Sequence, residues 1–259
     1  MKKLLEKAGK LARSGVYSSV WIWDLLYPRR CPVCQNLVSW GSLICDECEL
    51  SLPFIEEPTC MKCGKPMPIE YDKYEYCKDC MTHSHFYEKN YSLLHYKEEV
   101  KYSLYQFKYK NKREFSVWYG KKLVEKYGDE WKRVGIDLII PVPLHKTKKR
   151  QRGYNQAELL AKVIGLEMNI PYLSNGLVRF SETTPQKELN NKERYLNLRK
   201  AIKVGKIEPL QNEEKRKILL VDDIYTTGAT INACSSCLLQ EKVVTEVYSC
   251  TVAIGSGFS

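Results

Sequence analysis

The stretch KILLVDDIYTTGAT, Lys217 to Thr230, decides how the chain is read. Its apolar run, Ile218 to Val221, is what a strand covered on both faces requires. The run stops at two adjacent acids, Asp222 and Asp223, whose like charges repel. A short loop of Thr, Gly and Ala follows, and helical spacing runs from Thr230 to Gln240. The unit is therefore strand, loop and helix. Paired carboxylates stand at the carboxyl end of the strand, beside a helix whose first N–H groups are free and whose dipole favours an anion.

Working outward, the same alternation recurs. YSLLHY, from Tyr91, reads as a strand, and Val100, Leu104 and Phe107 give a helical face. A further helix runs through Phe115, Trp118, Leu123 and Val124. IDLIIPVP is a buried strand closed by prolines, and Ala157, Leu160, Ala161 and Ile164 mark a helix that begins near Asn155. Alternation of this kind predicts an α/β fold, a parallel sheet with helices on both faces and ligand sites in the loops beyond the strand carboxyl ends. With 259 residues, 44% of them hydrophobic, the chain can bury a real core and is not a disordered tail.

Eleven cysteines are many for a chain without a secretory signal, and their spacing accounts for eight. Cys31, Cys34, Cys45 and Cys48 form C-x2-C-x10-C-x2-C; Cys60, Cys63, Cys77 and Cys80 form C-x2-C-x13-C-x2-C. Each C-x-x-C turn presents two thiolates to one ion, and two turns complete the S4 shell of a closed structural zinc site. Pro32 and Gly64 suit such turns. Sequential pairing gives two zinc ribbons in tandem, separated by Glu49 to Pro58; interleaved pairing gives a cross-braced unit, and four disulfides are the remaining alternative. Closed S4 sites hold structure and do no chemistry. Cys234 and Cys237, one helical turn apart, read as small core residues.

The net charge of +10 is unevenly placed. Residues 31–90 hold 5 basic and 10 acidic side chains, whereas residues 91–154 hold 16 and 7. A positive field in the middle of the chain favours anionic partners. The first 30 residues lack the uninterrupted apolar stretch of a signal peptide, because Lys7, Lys10, Arg13 and Asp24 break it. Val16, Val20, Trp21, Trp23, Leu25 and Leu26 suggest a docking helix instead, and no segment reaches membrane-span length. The chain reads as cytoplasmic, with contact at the inner face of the membrane as the alternative. Three divisions result: an N-terminal helical segment 1–30, a double zinc ribbon 31–88 and an α/β domain 89–259.

A 5-phosphorylated ribose answers the two acids and the loop together. Its phosphate sits in the loop Thr226, Thr227, Gly228, Ala229 and Thr230, and its vicinal hydroxyls and a magnesium ion meet Asp222 and Asp223. Gly228 permits close backbone approach. ILLVDDIYTTGAT resembles the phosphoribosyl-pyrophosphate (PRPP) motif of type I phosphoribosyltransferases. LIIPVPLHKTKKRQRGYNQAELLA, TTPQKELNNKERYLNLRKAIKV and FKYKNKR, with the double zinc ribbon, are similar to the ComF family of competence proteins. The resemblance runs from Tyr27 to Ile254. It implies a type I phosphoribosyltransferase-like sheet, a pyrophosphate loop with His145, Lys146 and Arg152, and a mobile loop with Thr184, Gln186, Arg194 and Asn197. Closure of such a loop excludes water while positive groups stabilise departing pyrophosphate. No base pocket is apparent in the sequence, and no catalytic residue is assigned.

Lys108, Lys110, Lys112 and Arg113 are interleaved with Tyr102, Tyr105, Phe107 and Tyr109, a mix suited to tracking phosphates and stacking bases. A solvated lysine-rich helix face, with Phe107 in the core, is the alternative. Counting the resemblance, the first reading is a competence protein that handles single-stranded DNA in natural transformation, with a PRPP-type site and partners in the competence machinery. A working transferase with an unidentified acceptor and a non-catalytic zinc-ribbon adaptor are the other two.

Overall fold

The computed structural model describes residues 29–68, 74–181, 191–205 and 215–255. The expected N-terminal helix, with its Val16 to Leu26 apolar set, lies outside them. The chain divides into two compact units, Met1–Ser51 and Leu52–Ser259.

In the first unit, an antiparallel bridge joins Arg30 to Leu37 across the turn that carries Cys31 and Cys34. The turn closes with Cys31 N–H donating to Asn36 O and Gln35 N–H donating to Cys31 O. Cys45 and Cys48 stand at the start of helix α1, Asp46–Ser51.

The second unit repeats this knuckle. Thr59 bridges Pro66, Cys60 N–H donates to Lys65 O, and Gly64 N–H donates to Cys60 O. Cys77 and Cys80 flank the start of α2, Lys78–Thr82. Strand β1, Asn90–His95, then opens the α/β alternation: α3 Glu98–Tyr109, α4 Phe115–Val134, β2 Leu138–Pro141, α5 Lys146–Arg152 and α6 Gln156–Met168. An antiparallel pair, β3 Leu177–Arg179 and β4 Ile202–Val204, is joined through α7, Asn191–Ala201. Then come β5 Arg216–Tyr225, α8 Ala229–Leu238 and β6 Val244–Ile254.

The main sheet is wholly parallel in the order β1-β6-β5-β2. Side chains alternate across it with period two. Ile218 and Leu220 of β5 and Leu138 and Ile140 of β2 share a core with Ile231, Cys234 and Leu238 of α8. On the opposite face, Ile139 lies against Gly165 of α6, which packs on α4. Helices thus cover both faces, as the continuous apolar runs require. Cys234, Cys237 and Cys250 are core residues, as is Phe107.

One local expectation needs correction. The strand does not stop at the acids: Asp222 pairs with Thr251 and Tyr225 with Ile254, so β5 runs through them along β6. On its other side, pairing with β2 ends at Pro141 and Val221, followed by one bond from Val142 N–H to Val221 O. Pro141 and Pro143 have no N–H to extend that ladder. The acids therefore have a neighbouring strand on one side and an opening on the other.

Candidate functional site

The opening beside β5 is filled with charge. Asp223 N–H donates to Asp222 Oδ1 at 2.8 Å. Lys108 Nζ, from the last turn of α3, lies 2.9 Å from Asp223 Oδ1, with only 16% and 14% of the two side chains exposed. Burial, and then the Asp223 charge, push the Asp222 carboxyl up to about 7, against the opposing pull of the Asp223 N–H and the Lys108 and Arg152 charges.

The basic loop after β2 supplies further cations. His145 caps α5, its Nδ1 accepting from Thr147 N–H at 3.4 Å, while Lys146 is exposed on the first turn. Arg152 ends the helix. Its Nη1 donates to Gln156 Oε1 at 3.0 Å, its Nη2 to the Tyr109 hydroxyl at 3.1 Å, and its guanidinium lies 4.9 Å from the Tyr109 ring centre. Lys148 is reached by solvent, yet enough protein surrounds it for desolvation to lower its ammonium pKa; Arg179, Arg152 and Lys108 push the same way. Lys148 and Arg179 thus join Lys108 and Arg152, the two cations that act on Asp222, in one cation cluster. Lys148 could have been found by its four-residue spacing from Arg152 on a helix. No sequence signal marks Arg179, which arrives from β3.

The loop after β5 turns into α8 at a glycine. Gly228 precedes α8 at φ 74°, a left-handed conformation, and a Cβ there would overlap the Tyr225 hydroxyl. Thr227 Oγ1 accepts from Ala229 N–H at 3.4 Å, Thr226 is exposed, and Thr230 is half-buried on the first turn. Thr184 and Gln186 lie outside the described residues, as does the Arg194 side chain. Asn197 is half-buried on α7.

Of the other basic residues near α3, Lys112 pairs with Glu114 at 3.7 Å, and Arg113 stacks on Tyr154 at 4.8 Å and donates to Asn111 Oδ1. Lys110 is exposed. Tyr102, Tyr105 and Tyr109 form an exposed stripe on the same helix, with Tyr105 and Tyr109 5.2 Å apart.

The cysteines fall into two sequential tetrads, each with its four Sγ atoms within 4.8 Å of one another. Zinc–sulfur bonds of about 2.3 Å in a tetrahedron put sulfurs about 3.8 Å apart. Cys34 to Cys45 is 3.7 Å, Cys31 to Cys45 is 3.6 Å and Cys63 to Cys77 is 3.6 Å. The spacing fits zinc and is far beyond a disulfide bond of about 2.05 Å. The second tetrad is keyed to the sheet: Asn90 of β1 donates from Nδ2 to Cys63 O at 3.0 Å, and the Tyr87 and Tyr225 hydroxyls hydrogen-bond at 2.7 Å. The strand bearing the acids is therefore joined through Tyr225 to the segment that follows the second knuckle.

Residues 22–81 match a family model described as a double zinc ribbon domain. Competence protein F of Haemophilus influenzae is 31% identical over 223 residues, covering 84% of this chain and 93% of that protein. Competence protein ComFC of Bacillus subtilis is 27% identical, covering 83% and 89%. The DNA utilization protein YhgH of Escherichia coli K12 is 24% identical, covering 83% and 93%. A solved hypoxanthine phosphoribosyltransferase of Staphylococcus aureus superposes with a TM-score of 0.30 and 16% identity, over 55% of this chain and 64% of that one. By its identity to competence protein F along most of both chains, the chain belongs to the competence protein F family.

Proposed function

We propose that this chain is a competence protein that handles single-stranded DNA in the cytoplasm and binds a PRPP-type ligand at the carboxyl end of its parallel sheet. The observation that carries the reading is the meeting of Asp222 and Asp223 with Lys108 and Arg152, cations that in turn neighbour Lys148 and Arg179. Acceptors for two ribose hydroxyls stand beside cations for a diphosphate, and the Thr226–Thr230 loop with the start of α8 faces a 5-phosphate. Magnesium, a hard cation suited to carboxylate oxygens, supplies charge neutralisation between the acids and the diphosphate when bound.

Lys108 holds Asp223 until ligand hydroxyls and metal replace it. Arg152, oriented by Gln156 and Tyr109, meets the diphosphate in a fixed pose. The zinc tetrads are structural, and their eight thiol ligands suit a reducing compartment. Among the described residues no helix is long and apolar enough to cross a membrane. The exposed Tyr102, Tyr105 and Tyr109 stripe with Lys110 is the surface for single-stranded DNA, each ring offering a face to a base. Proteins of the competence machinery are the expected partners.

Calorimetry of zinc-loaded protein with PRPP and magnesium tests the site. Binding should be lost when Asp222→Asn and Asp223→Asn are combined; an unchanged isotherm overturns the assignment. Transfer of phosphoribose to an acceptor is a second reading, favoured by a cavity that adjoins the same loop. Pyrophosphate release that depends on one base of a panel would put it first.

A further inference from the structure

The two cysteine tetrads are alike in spacing and different in surroundings. Four thiolates around one divalent ion leave an excess of about two negative charges. Donors outside the ligand shell that take up part of this charge orient the sulfurs and strengthen the site. Each tetrad has a backbone amide in this position: Val33 N–H donates to Cys31 Sγ at 3.4 Å, and Cys77 N–H donates to Cys60 Sγ at 3.3 Å. The second tetrad has a side chain as well, because His85 Nε2 lies 3.5 Å from Cys80 Sγ. The four histidines of the chain are His83, His85, His95 and His145, so the unit Met1–Ser51, which holds the first tetrad, contains no imidazole.

The direction of the contact follows from its partners. A thiolate that binds zinc has no proton to give, so the ring is the donor. A neutral imidazole carries one N–H. His85 Nδ1 is buried and has no hydrogen-bond partner among the described residues. A proton on Nε2 is used, whereas a proton on Nδ1 would bury an unpaired donor and turn a lone pair towards the thiolate. The site therefore selects the Nε2–H tautomer. His85 stands outside the ligand shell, since the group of mutually close ligand atoms consists of Cys60, Cys63, Cys77 and Cys80.

The ring is held from its other side too. It lies 5.0 Å from the Tyr87 ring, tilted by 35°, and on the next residue Phe86 N–H donates to Asn232 Oδ1 of α8 at 2.6 Å. The Tyr87 hydroxyl in turn bonds that of Tyr225 on β5. The imidazole thus stands between a zinc ligand and the segment that ties the second knuckle to α8 and β5.

We propose that His85 is a positioning residue of the second zinc site: its Nε2–H donates to the Cys80 thiolate, orients that sulfur and damps its charge, so that this tetrad keeps its metal longer than the four cysteines alone would. His83 does not share the role. It is exposed, and its Nδ1 bonds locally to Thr82 Oγ1 and Asp79 O.

The test compares full-length, zinc-loaded wild type with His85→Phe, which keeps a ring against Tyr87 and removes the donor, and with His85→Gln, which restores an N–H. His85→Leu is a second variant without a donor, and His83→Phe is the control. Zinc release into excess chelator is followed with a colorimetric indicator, and cobalt-substituted protein reports the sulfur-to-metal charge-transfer band. His85→Phe and His85→Leu should each speed the release of one of the two expected ions about tenfold, the low end of what losing an outer partner does to metal affinity, and leave the other ion unchanged. Their cobalt band should move to lower energy, because a sulfur without the hydrogen bond gives up electron density more readily. His85→Gln and His83→Phe should stay close to wild type in both measurements, and melting curves check that the variants fold. Unchanged release in both donor-free variants overturns the inference. Faster release with an unmoved band, or with His85→Gln as fast as His85→Phe, also overturns it by assigning the effect to packing.

Discussion

Lys108 Nζ sits 2.9 Å from Asp223 Oδ1, joining the helix after the first strand to an acid pair more than a hundred residues later. The lysine places a positive charge against an acid pair in which burial and the Asp223 charge both disfavour the ionised Asp222. Lys108→Met should therefore destabilise the zinc-loaded protein by about 3 kcal/mol, the low end for breaking a buried pair, because both side chains keep some solvent. Adding Asp223→Asn should recover most of that loss, as read by denaturant unfolding. Additive losses in the double variant would show that the pair is not coupled.

Asp222 makes stability depend on pH in a direction opposite to most carboxylates. An unfolded aspartate titrates near 3.8, whereas Asp222 in the fold is pushed up to about 7. Between those values the folded chain keeps a proton that the unfolded chain has lost, so this contribution to stability falls as pH rises and levels off above about 7. Unfolding at pH 5.5, 6.5, 7.5 and 8.5 should show Asp222→Asn gaining on wild type with rising pH. Parallel profiles would mean that the carboxyl titrates normally. The PRPP affinity should run the other way, weakening below pH 7 as Asp222 takes up its proton.

Two zinc ions per chain are expected, and the tetrads should differ when broken. Cys31→Ser removes a ligand in Met1–Ser51 and should leave the melting of the larger unit close to wild type. Cys63→Ser acts within the unit that contains the sheet, beside the Asn90 and Tyr87 hydrogen bonds, and should lower its melting temperature by several degrees. Metal analysis with calorimetry checks both; equal melting shifts would contradict the division.

Single-strand binding should separate Lys110 from Lys108. A neutralised phosphate contributes about 0.7 to the logarithmic salt slope of single-strand affinity. Lys110→Ala should reduce the slope by about that amount, and Lys108→Ala should leave it unchanged because its ammonium is held by Asp223. Tyr105→Ala should weaken binding by about 1–3 kcal/mol with the slope intact. Fluorescence anisotropy across a salt series separates the effects, and a slope that responds to Lys108 and ignores Lys110 would reverse the assignment.

Gly228→Ala should cost at least about 1 kcal/mol, since alanine is strained at φ 74° and its methyl meets the Tyr225 hydroxyl. The same substitution should abolish PRPP binding, measured by calorimetry, by moving the loop backbone. Retained affinity would mean that the loop does not approach a phosphate.

Much of this arrangement is determined by the sequence alone, wherever the cause is local. Thiolate spacing marks the eight ligands because a C-x-x-C turn presents both sulfurs to one ion, while the sequential grouping of the turns is seen only in the structure. The helix expected near Asn155 begins there because the Asn155 side chain accepts from Ala157 N–H at 3.1 Å. Ile218–Val221 had to be a covered strand, and Pro141 and Pro143 had to end its neighbour's ladder.

What only the tertiary structure decided are the meetings between segments. The sheet order β1-β6-β5-β2 is not the chain order, so no local pattern could announce that Lys108 would face Asp223, that Arg179 would join the cations of the β2 loop, or that β5 would run past its acids along β6. The second knuckle reads in sequence as the twin of the first. Its place beside Asn90, Tyr225 and the Thr226–Ala229 loop, with the cavity this creates, depends on packing across the whole unit, because a cavity is bounded by surfaces that the chain brings together only when it folds.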